Sequence, residues 1–320
     1  MEISKNLSLE YLVAVFIGFI VTLLWSSSFI IIKFGLRYEG LSPLIFSSFR
    51  YFIAALILMT IIISSKRYRL SIKEKKKSWW NKIFFYGIIY YSIAMGTQFI
   101  GLNLLKAITV SLVLNFTPII VLILAVLILK ELPTKLQFVL ILITILGVVL
   151  YFHPISVLDE DTFGLIIIFI SLLANSLGAI FGRSLNKSKD TPVIVIAGLS
   201  MFFGSIVLLI AALITEGLPN ISFTGYFYII WLSIVNTAIA FTLWNKVLTV
   251  LSATDSALVN SLMLPEIVFL SLIFLQESLT LFDWIGILIV LICISWIQLN
   301  QARRIKNAKR KIEIEENTSF

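Results

Sequence analysis

Three observations predict an all-α membrane protein of ten transmembrane helices arranged as two inverted-topology five-helix repeats. The 320-residue chain is 59% hydrophobic and 13% charged, with a mean hydropathy of +1.04, whereas an ordinary soluble domain carries about 25% charged residues. Its apolar residues gather into ten runs of spanning length. Residues 106–150 also lie over 252–294 at an offset of 146, so that Ala107 meets Ala253, Glu131 meets Glu277 and Thr134 meets Thr280, while Pro118 and Pro265 agree to within one position.

The ten segments cover 10–32, 41–63, 83–105, 107–129, 134–152, 162–183, 192–214, 225–247, 254–275 and 281–299. About 20 mostly apolar residues cross a hydrocarbon core about 30 Å thick, and lipid offers no water to an open strand edge, so each segment reads as a helix. Turn signals separate them at Ser42-Pro43, Leu132-Pro133, His153-Pro154, Thr191-Pro192 and Gly217-Leu218-Pro219. The first segment differs from a cleaved leader: it is long, lacks a basic n-region and ends in SSSFIIIK rather than a cleavage site.

Placing the N-terminus inside assigns 21 of the 25 basic residues to one side, among them the cluster from Lys66 to Lys82 and the tail from Arg303 to Lys311. Short cytoplasmic loops carry such an excess. The Asp159-Glu160-Asp161 loop then falls outside, and both termini are expected in the cytoplasm, across a plasma membrane of prokaryotic type. The net charge of +8 is thus a topology signal with anionic lipid as its contact, not a nucleic-acid surface. One cysteine, Cys293, and one histidine, His153, supply neither a disulfide framework nor a His/Cys metal cluster, and no cofactor is expected. No GxxxxGK[ST], HExxH or GxSxG run occurs, which removes the ATP-motor motif and leaves an intramembrane enzyme as a remote alternative.

The front of each half agrees at an offset of 149, where Thr22, Ser26, Phe29 and Lys33 meet Ser171, Asn175, Gly178 and Gly182. Both sets follow i, i+4, i+7, i+11 and so share one helical face. The expected units are 1–152 and 153–299, followed by a basic tail at 300–320. Five spans per unit is an odd number, so the second unit enters the membrane in the opposite sense. Secondary transporters are commonly built this way, with substrate near the midplane between the repeats and access alternating as one rocks against the other.

WSSSFIIIK at 25–33, Pro43, Arg50 seven residues on, Ala107, Pro118, Glu131 and Gly147, with Pro265, Glu277 and Gly286 in the second half, resemble the EamA-type drug/metabolite transporters. The resemblance implies ten helices in two inverted repeats and transport of small metabolites, often amino acids or related amphipathic compounds, commonly outward. Two departures stand out: the second half has no counterpart of Arg50, and Arg183 matches Lys33 only after a shift of one residue.

Polar residues inside the spans are the candidate site. Pro118 and Pro265 remove helical donors from the carbonyls of Leu114 and Ser261, and backbone polarity freed at this depth survives beside protein, water or ligand. The fourth and ninth segments are therefore expected to face a cavity, unless the prolines only shape packing. Glu266 is central in the ninth segment, where a carboxylate costs about 2.5–3.5 kcal/mol. It must be protonated, paired or wet. As a functional group it would bind a substrate ammonium or carry a coupling proton; as a structural one it would pair with Lys33 or Arg50. Lys33, on the face of Ser26 and Thr22, either guides a substrate carboxylate or closes the helix and snorkels to the surface. Arg50 suits a carboxylate bidentately or holds a structural pair. Asn115 lies four residues from Ser111, and the stripe carrying Ser171 and Asn175 serves close helix packing, with some members touching substrate. Gln98 and Asn236 are further pore-lining candidates. Trp25, Tyr90, Tyr91, Trp231 and Trp244 are candidates to stack on substrate or to anchor at the interface, and Glu131 and Glu277 are capping or hinge groups. The expected function is a secondary carrier or facilitator for a small organic metabolite, with proton coupling an open question and a lipid or lipid-linked sugar flippase of the same fold as the alternative.

Overall fold

The computed structural model describes residues 2–129, 135–151, 153, 162–186, 191–251 and 259–318. Among these the regular elements are all helical. In chain order they are α1 (Glu2–Tyr38), α2 (Pro43–Ser64), α3 (Lys66–Lys73), α4 (Lys77–Leu104), α5 (Ala107–Leu114), α6 (Thr117–Leu129), α7 (Lys135–Tyr151), α8 (Thr162–Asn186) and α9 (Val193–Thr215). Phe223–Ser233, Ile234–Ile239 and Ala240–Val250 run on as one helix, α10; α11 is Val259–Leu275 and α12 is Leu281–Thr318. Seven described helices are long and apolar enough to cross a membrane, and Phe138–Tyr151, Val259–Leu275 and Leu281–Ile297 are shorter apolar helices. Glu131, Asp159–Asp161 and Ala253 lie outside the described residues.

Local chemistry sets the breaks. Gly40, at φ +62°, turns the chain from α1 into α2, a conformation glycine adopts without a Cβ penalty. Pro43 then opens α2, where its missing N–H costs nothing. The fourth segment is two helices, because the chain turns at Asn115 and Phe116 just ahead of Pro118; a turn at Leu262 precedes Pro265 in the same way. Wide π-helical turns interrupt α4 at Ile88–Ala94 and α10 at Ile234–Ile239. These two interruptions begin 146 residues apart, the offset already visible in the sequence.

Three expectations change in detail. The 64–82 stretch contains a helix, α3, because Tyr68 and Ile72 on it pack with Trp79 and Trp80 against a core of Ile62, Ile83 and Leu199. The first helix continues to Tyr38, so Lys33 lies more than a turn inside it and does not close it. The tail beyond residue 299 is a helical continuation of α12 as far as Thr318.

Two larger cores hold the bundle, and each draws on both halves of the sequence. One joins Phe46 and Phe99, in edge contact at 5.3 Å, with Leu58, Tyr91, Ile168 and Ile229. The other joins Ile108, Leu112 and Leu140 with Leu264, Val290 and Ile294. Within it, Gly147 and Gly286 face one another: a Cβ on Gly286 would come 2.5 Å from the Gly147 carbonyl, so α7 and α12 meet at backbone distance. Outward, α7 exposes Leu142, Leu146 and Val149, and α8 exposes Phe163, Ile166 and Phe169. An apolar surface of this extent is matched by lipid.

Candidate substrate cavity

A cavity of about 480 Å³ opens among the helices, within the range that holds a small organic ligand. Its wall takes Trp25, Ser28 and Phe29 from α1, Arg50 and Tyr51 from α2, and Tyr90, Met95 and Gln98 from α4. The broken fourth segment gives Ser111, Leu114, Asn115, Thr117 and Pro118, and α8 gives Asn175. Phe241 and Trp244 of α10 and Asn260, Met263 and Ile267 of α11 complete it. Both proline-broken segments therefore face the space.

Arg50 is the charged group of this wall. Its side chain is 6% exposed; Nε donates to Thr237 Oγ1 at 3.1 Å and Nη2 donates to Ser28 Oγ at 3.4 Å. The guanidinium also lies over the rings of Tyr51 and Phe99, at 5.2 and 6.0 Å from their centroids. Its partners among the described residues are thus hydroxyls and aromatic faces, not a carboxylate. Thr237 reaches it because the π turn of α10 lets its hydroxyl bond the carbonyl of Leu232, five residues back. Asn236 does not reach the wall: its amide donates to the Leu24 carbonyl, to Ser27 Oγ and to Ser28 Oγ. Ser28 Oγ thus accepts from both Asn236 and Arg50.

The α5–α6 break shows how the wall stays polar without loose backbone. The Leu114 carbonyl, deprived of a donor by Pro118, accepts from Thr117 Oγ1 at 2.7 Å. Asn115 donates to the Ser111 carbonyl at 2.9 Å, and on α8 Asn175 donates to the Ser171 carbonyl at 2.9 Å. Ser111 is 1% exposed and its hydroxyl has no hydrogen-bond partner among the described groups. The remaining stripe on α8 packs on α4. Ser171 Oγ donates to the Ala94 carbonyl at 2.7 Å, and a Cβ at Gly178 would strike the Tyr90 ring at 2.5 Å. Gly178 therefore admits a ring of the cavity wall.

Glu266 is half-buried one position before the wall residue Ile267, yet its side chain lies off the wall, between α11 and α1. Thr22 Oγ1 stands 3.0 Å from one carboxyl oxygen and Ser26 Oγ 2.8 Å from the other. Neither Lys33 nor Arg50 is a hydrogen-bond partner of this carboxyl. Lys33 instead shares its electrostatic surroundings with Glu277 and Arg37. Glu277 caps α5 from across the bundle, accepting from the amides of Ala107 at 2.7 Å and Ile108 at 3.2 Å. Glu216 does the same for α2 at Leu44 and Ile45.

Of the residues singled out in the sequence, Arg50, Gln98, Ser111, Asn115, Asn175 and Pro118 meet on one wall, with Trp25, Tyr90 and Trp244. Ser26, Glu266, Lys33, Asn236 and Pro265 lie elsewhere. Tyr91 is buried against Tyr51, and Trp231 is exposed beside Phe227. Sequence reading passed over Ser28, Thr237, Phe241 and Asn260. The spacing of Thr237, Phe241 and Trp244, i, i+4, i+7, was a readable signal for one face of α10.

The family model described as EamA-like transporter family matches residues 12–153 and 162–299, once on each half. The chain belongs to this family. An uncharacterized transporter of Archaeoglobus fulgidus is 31% identical over 182 residues, 57% of this chain and 61% of its own length, so the match spans about three fifths of that relative. The uncharacterized transporters YvbV and YoaV of Bacillus subtilis are 26% and 24% identical over 289 and 285 residues, each alignment covering 87% of this chain, with 88% and 94% of the relatives. A crystal structure described only as a protein shares the fold at a TM-score of 0.61 and 15% identity, over 91% of this chain and 98% of that one. The EamA-like protein is accordingly an integral membrane protein of a transporter family.

Proposed function

We propose that this EamA-like protein is a secondary carrier that moves a small amphipathic organic metabolite, the class to which amino acids and their relatives belong, outward across a prokaryotic-type plasma membrane by alternating access. The observation that carries the reading is the wall itself: a buried guanidinium, seven serine, threonine, asparagine and glutamine side chains and several aromatic rings surround one metabolite-sized space, and residues from both halves of the sequence build it. A chain that only packed against itself would fill such a space with apolar side chains.

In this reading ten helices cross the membrane, 1–152 and 153–299 are inverted repeats, and both termini are cytoplasmic. The paired π turns 146 residues apart and the paired breaks ahead of Pro118 and Pro265 support the repeat. Arg50, Gln98, Ser111, Asn115 and Asn175 meet the substrate, with Pro118 keeping the wall open. Glu266, with Ser26 and Thr22, is the group that exchanges a proton. A hydroxyl donates to a carboxylate and accepts from a carboxylic acid, so this niche serves both states. Lys33 and Asn236 shape the surroundings. The test is counterflow in proteoliposomes holding the purified protein: saturable exchange of a water-soluble metabolite is expected, whereas lipid scrambling without solute exchange would replace the carrier by a flippase.

A further inference from the structure

We infer that the cavity selects by charge, taking a small aromatic or apolar monocarboxylate that carries no charged amine, held through Arg50 and the hydroxyl of Ser111. The inference rests on the carrier reading above, but it concerns which ligands the wall favours and not whether they are moved.

Charge on the wall is one-sided. Arg50 brings a positive group, and the described lining includes no aspartate or glutamate to balance it. Among the described residues two of its N–H groups engage protein oxygens, both neutral hydroxyls. A guanidinium donates to both oxygens of a carboxylate in a planar fork, so the unspent donors fit that group. Ser111 supplies a second, independent sign of a missing partner, since it lies on the same wall, is 1% exposed and has no hydrogen-bond partner for its hydroxyl among the described residues. A buried hydroxyl without a partner is unfavourable until something bonds it.

The converse applies to amines. Glu266, the acid nearest in sequence to the wall, has its carboxyl engaged by Thr22 and Ser26 in the α1–α11 interface. Within the described lining an ammonium in the cavity would therefore be desolvated beside Arg50 with only neutral acceptors and ring faces to receive it. Trp25, Phe241 and Trp244 form a tilted aromatic group, with centroids 5.5 and 5.3 Å from Trp25, and such faces receive a flat apolar body. One cation matches one anionic group, which excludes a dianion as the favoured ligand.

The experiment is equilibrium binding to the purified full chain in detergent, with three probes that share an indole ring: indole-3-acetate, tryptophan and tryptamine. Indole-3-acetate is expected to bind tightest, about tenfold or more ahead of tryptamine, with tryptophan between. Arg50→Lys keeps that order with weaker binding, Arg50→Gln levels it, and Ser111→Ala weakens indole-3-acetate about threefold or more. Tightest binding of tryptamine or tryptophan, no saturable binding of indole-3-acetate, or an unchanged order in folded Arg50→Gln would overturn the inference. Where Arg50→Gln does not elute as a folded protein, Ser111→Ala decides through its selective effect on the acid. The charge order without flux of any probe removes the carrier reading alone; flux with the opposite order removes this inference alone.

Discussion

Arg50 and Glu266 both stand inside apolar helices, and the protein surrounds them differently. Arg50 faces the cavity with neutral hydroxyls and ring faces as its company. Glu266 is turned away from the wall into an interface where two hydroxyls bracket its carboxyl. A charged group at the middle of a membrane helix costs about 2.5–3.5 kcal/mol on insertion scales. On the proposed function an arriving anion offsets that cost for Arg50, and a proton does so for Glu266 with no ligand needed, so that the cation would recognise and the acid would change state.

The largest expected effect separates these roles at Arg50. Arg50→Gln should lower transport about 100-fold or more, because it removes charge-assisted hydrogen bonds to the substrate. It strands no acid partner, so melting temperature should hold or rise. Counterflow and thermal melting on one preparation check both halves; a variant that loses stability as much as transport would make Arg50 a structural group. The next effect is at Glu266. Glu266→Gln keeps a group that bonds Thr22 and Ser26 but cannot release a proton, so ligand binding should stay within about threefold while the response of flux to an imposed pH gradient disappears. Unchanged flux with unchanged pH response would leave that carboxyl with no part in coupling.

A smaller effect sharpens the contrast between wall and scaffold. Glu277→Ala leaves the Ala107 and Ile108 amides at the start of α5 without their acceptor, a loss of about 1–2 kcal/mol. It should lower the melting temperature and spare the charge preference of binding; a reversed preference would place Glu277 in the substrate path. Smallest is Gly178→Ala, whose new methyl displaces the Tyr90 ring and should weaken aromatic ligands a few-fold, by about 1 kcal/mol, as competition binding would read.

Much of this architecture was legible in residues. Hydropathy located α2, α7, α8, α9 and α10 to within three residues, since lipid solvation acts on each segment separately, but gave no sign of α3, of the start of α1 at Glu2 or of the run of α12 to Thr318, where polar sequence carries the helix outside lipid. The matched prolines announced the two broken segments, and the Arg50, Ser111, Asn115 and Asn175 side chains stood out as polar groups inside otherwise apolar spans; all four lie on the wall. Glu266 was harder. Its cost in lipid marked it as special, but whether it points to the cavity or to Thr22 and Ser26 depends on how α11 rotates against α1, and pairwise helix rotation is set by packing rather than by periodicity. Asn236 and Thr237, neighbours in sequence and so about 100° apart round a helix, reach the α1 backbone and Arg50 respectively; which of the two turns to Arg50 depends on the rotation of α10, which its π turn alters.

The most direct measurement is counterflow of labelled indole-3-acetate in proteoliposomes, comparing wild type with Arg50→Gln and Arg50→Lys at matched protein incorporation. The account predicts saturable exchange in wild type, reduced exchange in the lysine variant and none above protein-free vesicles in the glutamine variant. Equal exchange in all three proteins, or none in wild type, would contradict it.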